Sequence, residues 1–265
     1  MPAEPTSPGG RLLVEEDGPA LILRISNPGR ANALDEPILD ALASLLHAPP
    51  PAARAVLLAG EGDRHFSAGL DLAGAGAEPA GGLRDGERRL GAAAAAIADC
   101  PLPVIGVLNG AAVGGALELA IACDWRIARA GARLAMPAAR IGVVYAAEGL
   151  RRFVAAMGPG RARRLFLTGV PVEAEEALAM GLVEQVVERA ALWTAARAAA
   201  AEVAAGAPLA LAGTRAVVRA LSDGSPPADV EEVARRWRER AFASADFVEG
   251  LAAFHDRRPP NFGGR

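Results

Sequence analysis

Apolar positions divide the chain into a β/α half and a helical half. Near the start, Leu12-Leu13-Val14 and Leu21-Ile22-Leu23-Arg24-Ile25 are β-type runs separated by Asp17-Gly18-Pro19, a turn signal, so they predict a hairpin. Asp35 fits a helix N-cap, with Pro37 in the first turn after it. That helix brings Ile38, Leu42, Leu45 and Leu46 to one face, and Pro49-Pro50-Pro51 stops it. Residues 55–59 are short and wholly apolar, as in a strand buried on both faces. Residues 73–82, built only of Ala, Gly, Pro and one Glu, predict a mobile loop. A helix over 83–99 and a second buried strand over 103–108 follow. Asn109-Gly110 turns the chain into a helix over 114–123, and short strands are expected at 125–128 and 133–135.

From Glu148 onward the period is helical, over 148–157, 160–168, 173–180, 189–205, 208–221, 227–244 and 246–256. Only 182–187 reads as a strand there. No fixed-period repeat is present. The fold class expected from this order is α/β, with a core over 1–200 and a helical C-terminal region over 201–265.

Composition narrows the chemistry. All 28 basic residues are Arg, against 31 acidic ones, for a net charge of −3; the chain has three His, two Cys and one Tyr. Without Lys there is no Schiff base and no phosphate-loop lysine. Three scattered His and two separated Cys predict no metal site. Mild acidity gives no long-range attraction to nucleic acid. Arg88-Arg89, 161–164 and 235–240 read as solvated helix faces. The N-terminus lacks a basic-then-apolar leader, and no apolar run reaches the roughly 18 residues of a spanning helix, so a cytoplasmic protein with reduced thiols and no membrane partner is expected.

Two glycine-bearing turns each follow a buried strand. One is His65-Phe-Ser-Ala-Gly-Leu-Asp-Leu72, and the other runs from Asn109 through Gly114-Gly115 to Glu118. Glycine lets backbone N–H groups approach a ligand closely. The second turn also opens a helix, whose first N–H groups are unpaired and partly positive. Such turns serve either close helix–strand packing or a backbone oxyanion hole. Glu118 lies three residues after Gly115, on the same helix face, among Leu117, Leu119, Ala120 and Ile121. A lone carboxylate there pays for desolvation unless it is partnered or functional.

These turns resemble the signature of the crotonase (enoyl-CoA hydratase/isomerase) superfamily. The first is Phe66-Ser67-Ala68-Gly69-Leu70-Asp71-Leu72. The second is Pro103-Val104-Ile105 through Asn109-Gly110, then Gly114 to Ala120 and Cys123-Asp124. Asn32-Ala33-Leu34, Leu167-Thr168-Gly169, Gly181-Leu182-Val183 and Arg257-Arg258-Pro259 extend the likeness over nearly the whole chain. The resemblance implies a spiral of ββα units with a helical C-terminal trimerisation region, assembled as a homotrimer or dimer of trimers. It implies an acyl-CoA thioester substrate, coenzyme A being part of that substrate, with no separate cofactor. It assigns the oxyanion donors to the N–H groups of Leu70 and Gly115 and an acid/base role to Glu118. It places Arg30, Ala31, Ala68, Gly69, Asp71, Leu72, Gly114, Ala138, Phe254 and Arg257 around substrate or CoA, with Phe254 and Phe262 expected at a neighbouring subunit's site.

The match fails at one catalytic position. Hydratases of the family carry a second glutamate after the proline of a segment that here reads Met136-Pro137-Ala138. Ala138 cannot move a proton. The turn that follows is Tyr145-Ala146-Ala147-Glu148. Three functions stay open: a hydratase or isomerase with Glu118 supported by Tyr145 or Glu148; a decarboxylase, since Met136 to Tyr145 resembles the methylmalonyl-CoA decarboxylases of the family; and a thioesterase-like or non-catalytic CoA-ester binder. His65 and Ser67 have no third partner for a nucleophilic triad. Cys100 and Cys123 read as small core residues.

Overall fold

The computed structural model describes residues 9–72 and 79–265. It opens with the expected hairpin, β1 (Arg11–Asp17) and β2 (Ala20–Ser26), paired antiparallel across Gly18. Helix α1 (Glu36–His47) is capped by Asp35, whose carboxylate accepts from the Ile38 N–H at 3.2 Å, and it buries Ile38, Leu39, Leu42 and Leu46. From there successive turns of chain deliver strands alternately to two sheets. The pairs are β3 (Ala55–Gly60) with β4 (His65–Ser67), β5 (Val104–Leu108) with β6 (Ala111–Val113), and β7 (Trp125–Arg129) with β8 (Arg133–Ala135). Between them run α2 (Pro79–Asp99) and α3 (Gly115–Ala122). After α4 (Ala147–Thr168) come β9 (Val172–Glu173), α5 (Ala174–Met180) and β10 (Gln185–Val187). The larger sheet has order β1-β2-β3-β5-β7-β10 and is parallel beyond the hairpin; the smaller has order β4-β6-β8-β9. Each turn therefore stacks on the last in both sheets, giving a spiral of ββα units.

Alternation along the parallel strands sorts the core. Leu21, Leu23, Ile25, Val56, Leu58 and Val104 face α1, α2 and α3. Ala20, Ile22, Leu57, Ile105 and Ile127 face α6 (Leu192–Ala204) through Leu192, Ala196 and Ala200. The chain ends in α7 (Pro208–Ser222), α8 (Pro227–Phe242) and α9 (Ala245–Asp256). Among the described residues no single helix is long and apolar enough to cross a membrane.

Structure and expectation differ in two places, the short strands and the start of α2. The strands β4, β6 and β9 were not expected, because β4 and β6 fall on the two glycine-bearing turns and β9 is a two-residue pairing at the start of the helix expected from 173. The helices expected at 148–157 and 160–168 are both present within α4, separated by a kink at Gly158, where φ is +76° and Pro159 follows. The expected loop over 73–82 lies outside the described residues up to 78; from Pro79 the chain is already in α2. The expected leaderless start likewise falls mostly on residues 1–8, outside the described ones.

Candidate active site

Two asparagines hold the site's loops together. Asn109, buried, accepts from the Gly60 N–H at 2.9 Å and donates to the carbonyls of Gly60 and Gly62. Asn32 donates to the carbonyls of Glu61 and His65 at 3.0 Å. The Ala68 N–H donates to the Ala31 carbonyl at 3.0 Å, and the Leu34 N–H to that of Gly69 at 2.8 Å. These bonds seat the 65–72 turn against the 27–34 loop. Gly69 has φ +90°, and a Cβ there would stand 2.5 Å from the Val113 carbonyl oxygen, so glycine alone lets this turn meet the segment that starts α3. The Ser67 hydroxyl accepts from the Gly69 N–H at 3.1 Å, which gives that side chain a turn-forming job.

Apart from Glu118, helix α3 is apolar on all sides, and it is buried from Gly115 to Ile121. As its first residue, Gly115 has no intrahelical partner for its N–H. Among the described residues neither that N–H nor the Leu70 N–H has an acceptor. Both residues line a cavity of about 130 Å³, together with Ala68, Gly69, Leu72, Gly114, Glu118, Ala138, Tyr145 and Glu148. Ten of the sequence-predicted positions are thus brought to one space.

Glu118 is 5 % exposed. The Tyr145 hydroxyl donates to its Oε2 at 2.6 Å, and Arg152 Nη1 donates to Oε1 at 3.1 Å. Burial pushes the Glu118 carboxyl above the ordinary range, and the Tyr145 and Arg152 contacts pull it part of the way back. Burial and then the adjacent Glu118 charge push the Tyr145 phenol far up, so it remains a donor. Its ring stacks edge-on against Phe166, centroids 5.3 Å apart. Gly149 makes the pair possible: a Cβ there would lie 2.6 Å from the Tyr145 ring and 3.0 Å from Glu118 Oε1. Glu148 also lines the cavity, but both its oxygens accept from Arg151 at 2.7 Å, and Arg152 Nη2 reaches Oε1 at 3.1 Å.

Ala138 stands buried in the cavity wall, at the start of a short 3-10 turn. Arg30 forms an ion pair with Asp71, and these two with Ala31 lie outside the lining. Phe254 and Arg257 are not brought to this cavity either: Phe254 on α9 is 86 % exposed, and Arg257 closes that helix with φ +53°.

Sequence reasoning missed Arg152, Glu87 and Gly149. Arg152 stands four residues after Glu148, a spacing that would have signalled their pairing. Glu87 shares one helix face with Leu83, Leu90 and Gly91, all cavity-lining. Nothing in sequence marks Gly149, because its neighbour Tyr145 is brought in by the turn before α4.

A sequence model of the enoyl-CoA hydratase/isomerase family matches residues 16–265. A carnitinyl-CoA dehydratase of Citrobacter koseri is 34% identical over 257 residues, covering 94% of this chain and 96% of that protein. The crystal structure of an enoyl-CoA hydratase from Bacillus anthracis superposes with a TM-score of 0.90 at 28% identity, over 96% of this chain and 100% of that one. That of an enoyl-CoA hydratase/carnithine racemase from Magnetospirillum magneticum gives 0.88 at 31%, over 96% of each. Family, spiral fold and cavity agree along nearly the whole chain: it belongs to the enoyl-CoA hydratase/isomerase family of the crotonase superfamily and is a lyase or isomerase acting on acyl-CoA.

Proposed function

We propose that the enzyme forms the enolate of an acyl-CoA thioester and passes a proton to or from it through Glu118, as a hydratase or double-bond isomerase. The observation that carries this reading is a buried carboxyl with a raised pKa sharing a cavity with the two N–H groups of Leu70 and Gly115. In this reading the thioester oxygen lies between those N–H groups. Such donors need no reorganisation when charge develops on the oxygen, and each is worth ~3–4 kcal/mol when removed. The N-terminus of α3 adds partial positive charge. Glu118, one helical turn beyond Gly115, faces the carbon next to the thioester. A carboxyl destabilised in its charged form accepts and returns a proton nearer neutral pH, which general acid–base catalysis favours. Tyr145 and Arg152 stabilise its ionised state.

The substrate's CoA portion is assigned to the edge formed by Arg30, Ala31, Ala68, Asp71 and Leu72. Assembly as a homotrimer or dimer of trimers would bring Phe254 and Arg257 to a neighbour's site. The exposed apolar side chains Val248, Leu251 and Phe254 on α9 and Val218 and Leu221 on α7 support an assembled state.

The test is proton exchange. Butyryl-CoA in D₂O should acquire deuterium at C2 with the wild type, and Glu118→Gln should slow this ~10²–10⁴-fold with CoA-ester affinity retained. No exchange, with no turnover of crotonyl-CoA or a 3-enoyl-CoA, would remove the reading. CO₂ release from methylmalonyl-CoA that vanishes in Tyr145→Phe would replace it with the decarboxylase.

A further inference from the structure

The cavity holds three carboxylates, and they are not equivalent. Glu118 and Glu148 share Arg152, and Glu148 is also gripped by Arg151. Glu87 has no hydrogen-bond or ion-pair partner among the described residues. It enters from α2, whereas the Arg152 pairs are made by residues of α3 and α4. The helix face it occupies runs Leu83, Glu87, Leu90 and Gly91, spaced i, i+4, i+7 and i+8, and all four line the cavity. Leu90 fixes where that face points, because its Cδ2 lies 2.8 Å from where a Gly115 Cβ would stand. Glu87 is three residues before Leu90, about 4.5 Å along the helix axis. It therefore lines the cavity about one helical turn along α2 from the residue that packs on Gly115. The electrostatic effect of Glu87 reaches both Glu118 and Tyr145.

We infer that Glu87 is the second proton-transfer group of this enzyme, supplied by α2 in place of the carboxylate that Ala138 lacks. The inference rests on the enolate reading of the cavity. It makes hydration possible for a chain with no carboxylate at position 138. A water between Glu87 and C3 of an enoyl-CoA loses a proton to the Glu87 carboxylate as its oxygen bonds C3. The C2=C3 electron pair moves to the thioester oxygen, held by the Leu70 and Gly115 N–H groups. Protonated Glu118 then gives its proton to C2 as the electrons return from oxygen. The product is the 3-hydroxyacyl-CoA, and the two carboxyls exchange protons with solvent before the next cycle. Glu148 is less suited to this task, because both its oxygens are already held by arginine. Glu87, without a cation to neutralise it, keeps its acceptor capacity for water.

The experiment separates two reactions of one enzyme. C2 exchange on butyryl-CoA uses Glu118 and the oxyanion donors and requires no attack at C3. Hydration of crotonyl-CoA requires both carboxylates. Glu87→Gln should lower crotonyl-CoA hydration ~10²-fold or more while C2 exchange, compared on its high-pH plateau where Glu118 is ionised in both proteins, stays within about three-fold, the exchange also reporting that the variant is folded. Glu87→Asp should recover part of the hydration rate. Hydration unchanged in Glu87→Gln would overturn the inference, and so would loss of hydration and exchange together. A wild type that exchanges C2 protons but never hydrates would overturn it while leaving the enolate reading intact. A wild type that does neither would overturn the enolate reading itself.

Discussion

Replacing Arg152 by Met tests how the site sets the proton affinity of Glu118. The pair is buried, with side chains 11% and 6% exposed and Nη1 to Oε1 at 3.1 Å. Unit charges about 4 Å apart at an effective dielectric near 20 attract by about 4 kcal/mol. Water entering the space and the surviving Tyr145 bond offset part of the loss. A neighbouring arginine ordinarily lowers a carboxyl by about 1–3 pK units, and with that compensation a further rise of about 1–2 units is expected for Glu118. C2 deprotonation needs Glu118 ionised, so its rate climbs with pH through the Glu118 pKa. In Arg152→Met the climb should move to higher pH by about 1–2 units. Below both transitions the variant would be about 10- to 100-fold slower, and above both the rates would converge. Arg152→Lys should move the profile back, since it restores a positive charge. The assay is C2 exchange on butyryl-CoA between pH 5 and 10, with Glu148 kept paired by Arg151 in every variant. A profile that stays in place would refute the reasoning. A rate lowered equally at every pH would do so too, because it would assign Arg152 a structural role only.

Three further outcomes follow from the same geometry. Gly149→Ala would force a methyl to 2.6 Å from the Tyr145 ring; overpacking of this kind costs about 1–3 kcal/mol of stability, so the variant should unfold at lower urea and its exchange should fall as the ring is pushed off Glu118, and unaltered stability and rate would show that the Tyr145–Glu118 contact is dispensable. Glu118 is raised on folding, so the folded state binds its proton more tightly and the stability it contributes is lost as pH rises from the unfolded value near ~4.3 through the folded one. Urea unfolding of wild type against Glu118→Gln should therefore show the wild type losing ground over that interval, and a constant difference would contradict the assigned shift. Cys123 is buried, and that burial pushes its thiol up to about 12, while Cys100 is raised for the same reason; neither should react with a thiol reagent in the native protein, and rapid native labelling would mean that α3 opens.

The sequence itself exposes much of this fold. Buried strands such as β3 and β5 are continuous apolar runs, and the Asp35 cap and the Gly158-Pro159 break carry local chemistry that position alone reveals. The second sheet was hidden because β4, β6 and β9 owe their existence to pairing between successive turns. In the site, Glu118 announced itself as a charge within an apolar helix. Arg152 and Glu87 lie on helices rich in other charged residues, where one more Arg or Glu carries no signal until the helix face is oriented.

Composition and local pattern by themselves narrowed the candidate chemistry to a carboxylate, a backbone dipole or a bound cofactor: no lysine, few histidines, and Gly-bearing turns ahead of a helix that carries one glutamate. The resemblance to the crotonase superfamily, not composition, marked Ala138 as the place where the family's second carboxylate is missing. Only the tertiary structure decided what surrounds that gap. It brought Tyr145 and Arg152 onto Glu118 from a turn and helix 27 and 34 residues away in sequence. It also set Glu87, unpaired among the described residues, in the lining of the same cavity. The reason is physical: the cost of burying a charge can be read along a chain, whereas the partner that offsets it is chosen by which surfaces the spiral lays against one another.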